Sequence, residues 1–161
     1  MDLPTVGARA PGVALPDATG TIHDLKDQRG RWTVLYFYPK DDTPGCTVEA
    51  CEFRDANETI SERGADVWGI SPQGAASKRA FSEKFGLPFT LLADEDHAVA
   101  DAYGTWVENT NYGKKYWTTA RVTFLVDPNG RIAKVWPKVK PEGHAADVLS
   151  VLDELQGARA S

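Results

Sequence analysis

Tyr36-Phe37-Tyr38-Pro39-Lys40-Asp41-Asp42-Thr43-Pro44-Gly45-Cys46-Thr47-Val48-Glu49-Ala50-Cys51 joins the end of an apolar run to the start of a helix, and it holds both cysteines of the 161-residue chain. Residues 32–38 are apolar, β-branched or aromatic without a break, the pattern of a central strand covered on both faces. Pro44 and Gly45 stop that strand. From Thr47 apolar residues recur at Val48, Cys51, Ala56 and Ile60, with Glu49 and Glu52 in the first turn and Gly64 near the end, which predicts a helix.

Working outward, residues 13–17 and 21–24 flank the turn Ala18-Thr19-Gly20 as a small N-terminal β-hairpin. Downstream, the pattern predicts a strand over 66–71, a helix over 75–85 closed by Gly86, a short strand over 89–92 and a short helix over 98–103. Residues 122–126 and 131–136 flank Asp127-Pro128-Asn129-Gly130, a strong hairpin signal. Residues 145–155 close the series as an amphipathic helix. This order implies an α/β domain of three layers, with a mixed central sheet that is parallel early and antiparallel late. Trp106, Tyr112, Tyr116 and Trp117 fall outside these elements and read as loop and rim packing.

Length and composition bound the rest. At 161 residues the chain suits one domain, residues 1–161, able to bury about two thirds of its unfolded surface without disulfide or metal staples. It is 42% hydrophobic and 25% charged, and no apolar run approaches the roughly 20 residues of a membrane helix. A net charge of -5 argues against nucleic acid as a partner. Met1-Asp2-Leu3-Pro4-Thr5 lacks the features of a signal peptide, so the expected compartment is the cytoplasm, where thiols stay reduced. His23, His97 and His144 have no ligand-like spacing, and two cysteines cannot close a zinc set, so no metal is expected.

The cysteines carry the chemistry. Cys46 falls in the first turn of the predicted helix, where backbone N–H groups lack intrahelical partners and an anion is favoured. Such surroundings and a nearby cation depress a thiol's pKa from about 8.5. A drop to about 6 raises the thiolate fraction at pH 7 from ~3% to ~90%. It also costs roughly tenfold in intrinsic nucleophilicity, so ionisation alone gains little. A fast thiol catalyst therefore needs groups that stabilise the transition state. Thr43 offers a hydroxyl to the ligand or the sulfur, Pro39 shields the thiolate, and Arg121, at the mouth of a predicted central strand, is the best placed cation. Glu49 reads equally as a helix N-terminal acid or as part of this site.

The spacing to Cys51 adds a second inference. Residues five apart on an ideal helix have Cα atoms about 8.7 Å apart, and a disulfide needs less than about 7 Å. Bonding of Cys46 to Cys51 therefore requires the first turns to unwind. Cys-x-x-Cys is absent, which argues against plain thiol-disulfide exchange on protein substrates. The longer spacing suits a cysteine that is first oxidised to sulfenic acid and then resolved by its neighbour.

Pro39-x-x-x-Thr43-x-x-Cys46 resembles the peroxiredoxin active-site motif, and residues 36–55 are similar to the bacterioferritin-comigratory, or peroxiredoxin Q, branch. The likeness extends to residues 6–25, to Leu91-Leu92-Ala93-Asp94-Glu95-Asp96-His97 and to Arg121-Val122-Thr123-Phe124-Leu125-Val126-Asp127. It implies a thioredoxin-like fold and an antioxidant thiol peroxidase reducing hydrogen peroxide or organic hydroperoxides; the expected state is a monomer. Cys46 would be the peroxidatic and Cys51 the resolving cysteine, Thr43 and Arg121 would activate the peroxide, and Pro39 and Gly45 would complete its binding site. Thioredoxin or a similar dithiol protein would supply electrons, and no metal, flavin or nucleotide is implied. Trp117-Thr118-Thr119-Ala120 departs from the family pattern, which has a glycine in a smaller-residue turn there. The rival from another class is a redox sensor, which would be oxidised stoichiometrically rather than turn over.

Overall fold

A computed structural model describes residues 1–160, with side chains through Gly157. The strands are β1 (Ala14–Pro16), β2 (Ile22–Asp24), β3 (Trp32–Phe37), β4 (Ala65–Ser71), β5 (Thr90–Ala93), β6 (Trp106–Asn111), β7 (Lys114–Thr119), β8 (Val122–Val126) and β9 (Ile132–Trp136). The helices are α1 (Pro44–Glu62), α2 (Ala75–Phe85), α3 (Ala98–Ala102) and α4 (His144–Ala160), with a 3-10 turn over Leu25–Gln28. Five strands form the central sheet in the order β5-β4-β3-β8-β9. β3 pairs parallel with β4, and β4 with β5, whereas β8 lies antiparallel to both β3 and β9. The mixed sheet expected from the element order is the one observed.

β3 sits at the centre, and all six of its residues are buried. Alternate side chains go to opposite faces. Val34, Tyr36 and Tyr38 join Cys46, Ala50, Phe53 and Ile60 of α1, Phe81 of α2, and Ala145, Val148 and Leu152 of α4. Leu35 and Phe37 join Trp68, Val99, Tyr103, Phe124 and the N-terminal Val13, Leu15 and Leu25 on the other face. Full burial of each large apolar side chain is worth about 1.5–3 kcal/mol. Phe53, stacked on Tyr36 with ring centroids 4.8 Å apart, and Ile60 thus pin the later turns of α1 to the sheet.

Residues 106–119 correct the sequence reading. They form a second hairpin, β6 against β7, with Trp106 opposite Thr119 and Asn111 opposite Lys114. Its turn places Tyr112 at φ 51 and Gly113 at φ 77, the two positive values that match the twist of a two-residue hairpin. Glycine adopts this geometry freely and tyrosine rarely, so a turn with Tyr112 in the first position is hard to read. The aromatic residues do lie on the rim: Tyr112 and Trp117 are exposed, and Trp106 stacks on His97 at 4.2 Å.

Candidate active site

The turn that follows β3 is held by local bonds before it enters α1. The Thr43 hydroxyl donates to the Lys40 carbonyl at 2.9 Å, and the Thr47 N–H closes the first helical turn on the Thr43 carbonyl at 2.8 Å. Thr43 is the N-cap residue and Pro44 occupies the first helical position, where its missing N–H costs nothing. Cys46 then faces inward and is 1% exposed. The sequence offers the Thr43 hydroxyl to the ligand or the sulfur. In the structure its proton goes to the backbone, leaving its lone pairs to accept.

Arg121 precedes β8, the strand paired with β3, and this pairing brings it to Cys46 across 75 residues of sequence. Its Nη2 donates to Cys46 Sγ at 3.3 Å and its Nη1 to Glu49 Oε1 at 2.8 Å. A Cβ on Gly45 would lie 3.2 Å from Nη2, so the lack of a side chain there leaves the guanidinium its place. Burial works to lower the pKa of Arg121, but the Cys46 and Glu49 acidic groups outweigh it and hold the guanidinium charged. The sulfur, the cation and the carboxyl form one cluster.

Glu49, left open in the sequence, belongs to this cluster. Its side chain is 0% exposed, and Oε2 has no hydrogen-bond partner among the described residues, as is also true of the nearby Tyr36 hydroxyl. Burial pushes its carboxyl up to about 7, against the opposing pull of Arg121. An orphaned oxygen adds to the cost of the ionised form. Because the unfolded value is near 4.5, folding takes up a proton between these limits, and ionisation opposes folding increasingly as pH rises to 7. The whole effect is about 3 kcal/mol. The stability advantage of the wild type over Glu49→Gln is therefore expected to shrink by about that amount from pH 4.5 to pH 7.5. Denaturant unfolding at both pH values checks this, and a pH-independent difference contradicts it.

Cys51 lies farther along α1 and is half-buried, and both cysteines are free thiols. With the helix continuous from Pro44, the two remain on one intact helix, the arrangement that cannot form a disulfide without unwinding. Pro39 is half-buried, with its carbonyl accepting from Gln73 Nε2 at 3.1 Å. A groove of about 480 Å³ opens beside Arg121, walled by Val107, Ala120, Pro137 and Val139 together with Glu108, Asn109 and Lys138. The unexpected β6–β7 hairpin supplies Val107. The histidines occupy separate places. His23 meets Asp17, His97 meets Asp101, and buried His144 meets Thr123, its imidazole pushed down to about 4 by burial. No helix among the described residues is long and apolar enough to cross a membrane.

Comparison with known proteins agrees with this geometry. Residues 6–135 match the AhpC/TSA family model. The chain is 48% identical over 147 residues to the putative peroxiredoxin bcp of Coxiella burnetii, covering 91% of this chain and 97% of that one. It is 44% identical over 150 residues to peroxiredoxin Bcp of Bacillus subtilis, covering 93% and 96%. The solved bacterioferritin comigratory protein of Xanthomonas campestris, studied for its alkyl peroxide reduction activity, superposes with a TM-score of 0.84 at 38% identity, covering 88% of this chain and 90% of its own. A helix-start thiol under an arginine, on a thioredoxin-like sheet and with this degree of likeness along the chain, places the protein in the AhpC/TSA family, among the thiol peroxidases of its bacterioferritin-comigratory, or peroxiredoxin Q, branch.

Proposed function

We propose that the protein reduces hydrogen peroxide and organic hydroperoxides with Cys46 as the attacking thiolate and Cys51 as the resolving thiol, recycled by thioredoxin or a similar dithiol protein. The observation that carries this reading is the Arg121 guanidinium donating to Cys46 Sγ at 3.3 Å from a nearly closed site. The sulfur attacks the distal oxygen of the peroxide, the O–O bond breaks, and the leaving oxygen departs as water or an alcohol after taking a proton. Cys46 is left as sulfenic acid. Charge moves from sulfur to the leaving oxygen, so a cation that already bonds the sulfur can follow it through the transition state. The first-turn N–H groups act in the same direction. Thr43, with its proton committed to Lys40, accepts the O–H of the bound peroxide, while Pro39 and Gly45 shape the entrance.

The Cys51 thiol then attacks the sulfenic sulfur, releasing water and forming the disulfide. A dithiol reductant returns both thiols and leaves oxidised. Within the groove's mixed polar and apolar walls, Val107, Ala120, Pro137 and Val139 offer contacts to the apolar part of an organic hydroperoxide. In this reading the protein works as a monomer in the cytoplasm, where thiols stay reduced, and its net charge of -5 argues against nucleic acid as a partner. Steady-state assays with hydrogen peroxide and an alkyl hydroperoxide, with and without thioredoxin, test this. Continuous consumption of both substrates is expected only with the reductant. One round of oxidation and no turnover with thioredoxin present would instead support a sensor.

A further inference from the structure

Lys78 is the one lysine with a completely buried side chain among the described residues. It comes from α2 and shares none of its hydrogen-bond partners with Arg121. Its Nζ lies 2.6 Å from Ser71 Oγ, 3.3 Å from both carboxylate oxygens of Asp41 and 3.3 Å from the Tyr38 hydroxyl. Asp41 also accepts from Tyr38 at 2.5 Å and from Ser77 at 2.8 Å. Gln73 completes the clamp by accepting from the Asp41 N–H and donating to the Pro39 carbonyl, both at 3.1 Å. The loop is thus fastened to β4 and the start of α2. Within it Asp42 takes a left-handed conformation at φ 58, one that aspartate adopts more readily than most non-glycine residues.

A buried ion pair of this kind is weak evidence for stability, since desolvation offsets much of the attraction. Its consequence here is geometric. We propose that Lys78 is a positioning residue for the Cys46 chemistry: its charged ammonium holds Asp41 and Tyr38, and through them fixes residues 38–43, which set Thr43 and the entry of Cys46 into α1. This rests on the peroxidase reading above. The charged and titratable groups facing Lys78 are Asp41 and Tyr38 from the loop side, Asp94 beyond β5, and Cys46 from α1. Burial brings the Lys78 ammonium down to about 8, with Asp41 opposing. The clamp therefore loses its charge as pH rises through about 8.

The test is the rate of Cys46 oxidation after rapid mixing of the reduced protein with hydrogen peroxide, from pH 6 to 9. In the wild type the rate is expected to fall on an alkaline limb near pH 8. In Lys78→Met the rate at pH 7 is expected to drop about tenfold to a hundredfold, the scale set by small misplacements of reacting groups, and the limb is expected to vanish. A Lys78→Met protein that melts at lower temperature yet keeps the full rate and the limb would overturn the proposal. Should Lys78→Met fail to fold, the paired Asp41→Asn/Lys78→Met variant leaves no buried charge unpaired. Loss of the limb in it supports the assignment, and persistence overturns it. Iodoacetamide alkylation of Cys46 in a Cys51→Ser background, over the same pH range, separates this inference from the reading beneath it. Wild-type protein inert to peroxide, with an alkylation profile still shifted by Lys78→Met, would remove the peroxidase role and leave the positioning role standing. An alkylation profile unmoved by Lys78→Met would remove the positioning role.

Discussion

Cys46→Ser is expected to show no peroxide consumption above the background of peroxide with thioredoxin alone. A serine hydroxyl is far harder to ionise than a thiol, and an oxygen nucleophile has no redox state to pass on. Cys51→Ser is the informative contrast. It retains Cys46, Arg121 and Glu49, so it is expected to consume about one equivalent of peroxide and then stop with thioredoxin as the only reductant. Peroxide added in stoichiometric steps, with the product weighed by intact-mass spectrometry, distinguishes the two. Appreciable steady turnover by Cys46→Ser would remove Cys46 from its assigned role.

The second large effect is expected at Arg121. Arg121→Met keeps much of the side-chain volume but takes away the donor on Cys46 Sγ and the partner of Glu49. Losing one preorganised donor to developing charge costs about 10²–10³-fold in rate, and the kcat/KM for hydrogen peroxide is expected to fall by that factor. Arg121→Lys is expected to recover only part of it, because a single ammonium lacks the planar fork that reaches both partners. Measured second-order rate constants check both variants. A loss of less than about threefold in Arg121→Met would mean that Cys46 does not depend on this cation.

Much of the fold was legible because its signals are local. The unbroken apolar run of β3, the stop at Pro44 and Gly45, and the Asp127-Pro128-Asn129-Gly130 turn each decide an element without reference to the rest of the chain. The β6–β7 hairpin was not legible, since its strands are largely exposed and lack a clean apolar alternation. Its one cue is Gly113 between two stretches rich in threonine and aromatic residues. In the site, Cys46, Cys51 and Thr43 are neighbours in sequence and could be read together. Glu49 could not be assigned, because a carboxylate near a helix start is ordinarily solvated there, and only the approach of Arg121 from β8 shows that this one is buried. Lys78 left a faint sign. It stands three residues before Phe81 and seven before Phe85, on the apolar face of α2, where a lysine needs a buried partner. That partner, Asp41, lies 37 residues away, and no spacing rule connects them.

The start of α1 is expected to serve two states: a formed helix that presents Cys46 to Arg121, and an unwound one that lets Cys46 reach Cys51. The physics permits this division. Phe53 and Ile60 anchor the later turns, whereas unwinding the first turns returns the buried Glu49 carboxyl to water and offsets part of the packing lost. Amide hydrogen exchange, measured on the reduced protein and on protein oxidised with one equivalent of peroxide, tests it most directly. Protection over residues 44–51 is expected to fall sharply on oxidation while residues 53–62 stay protected. Equal protection of residues 44–51 in both forms, with the Cys46–Cys51 disulfide confirmed by mass, would contradict the account.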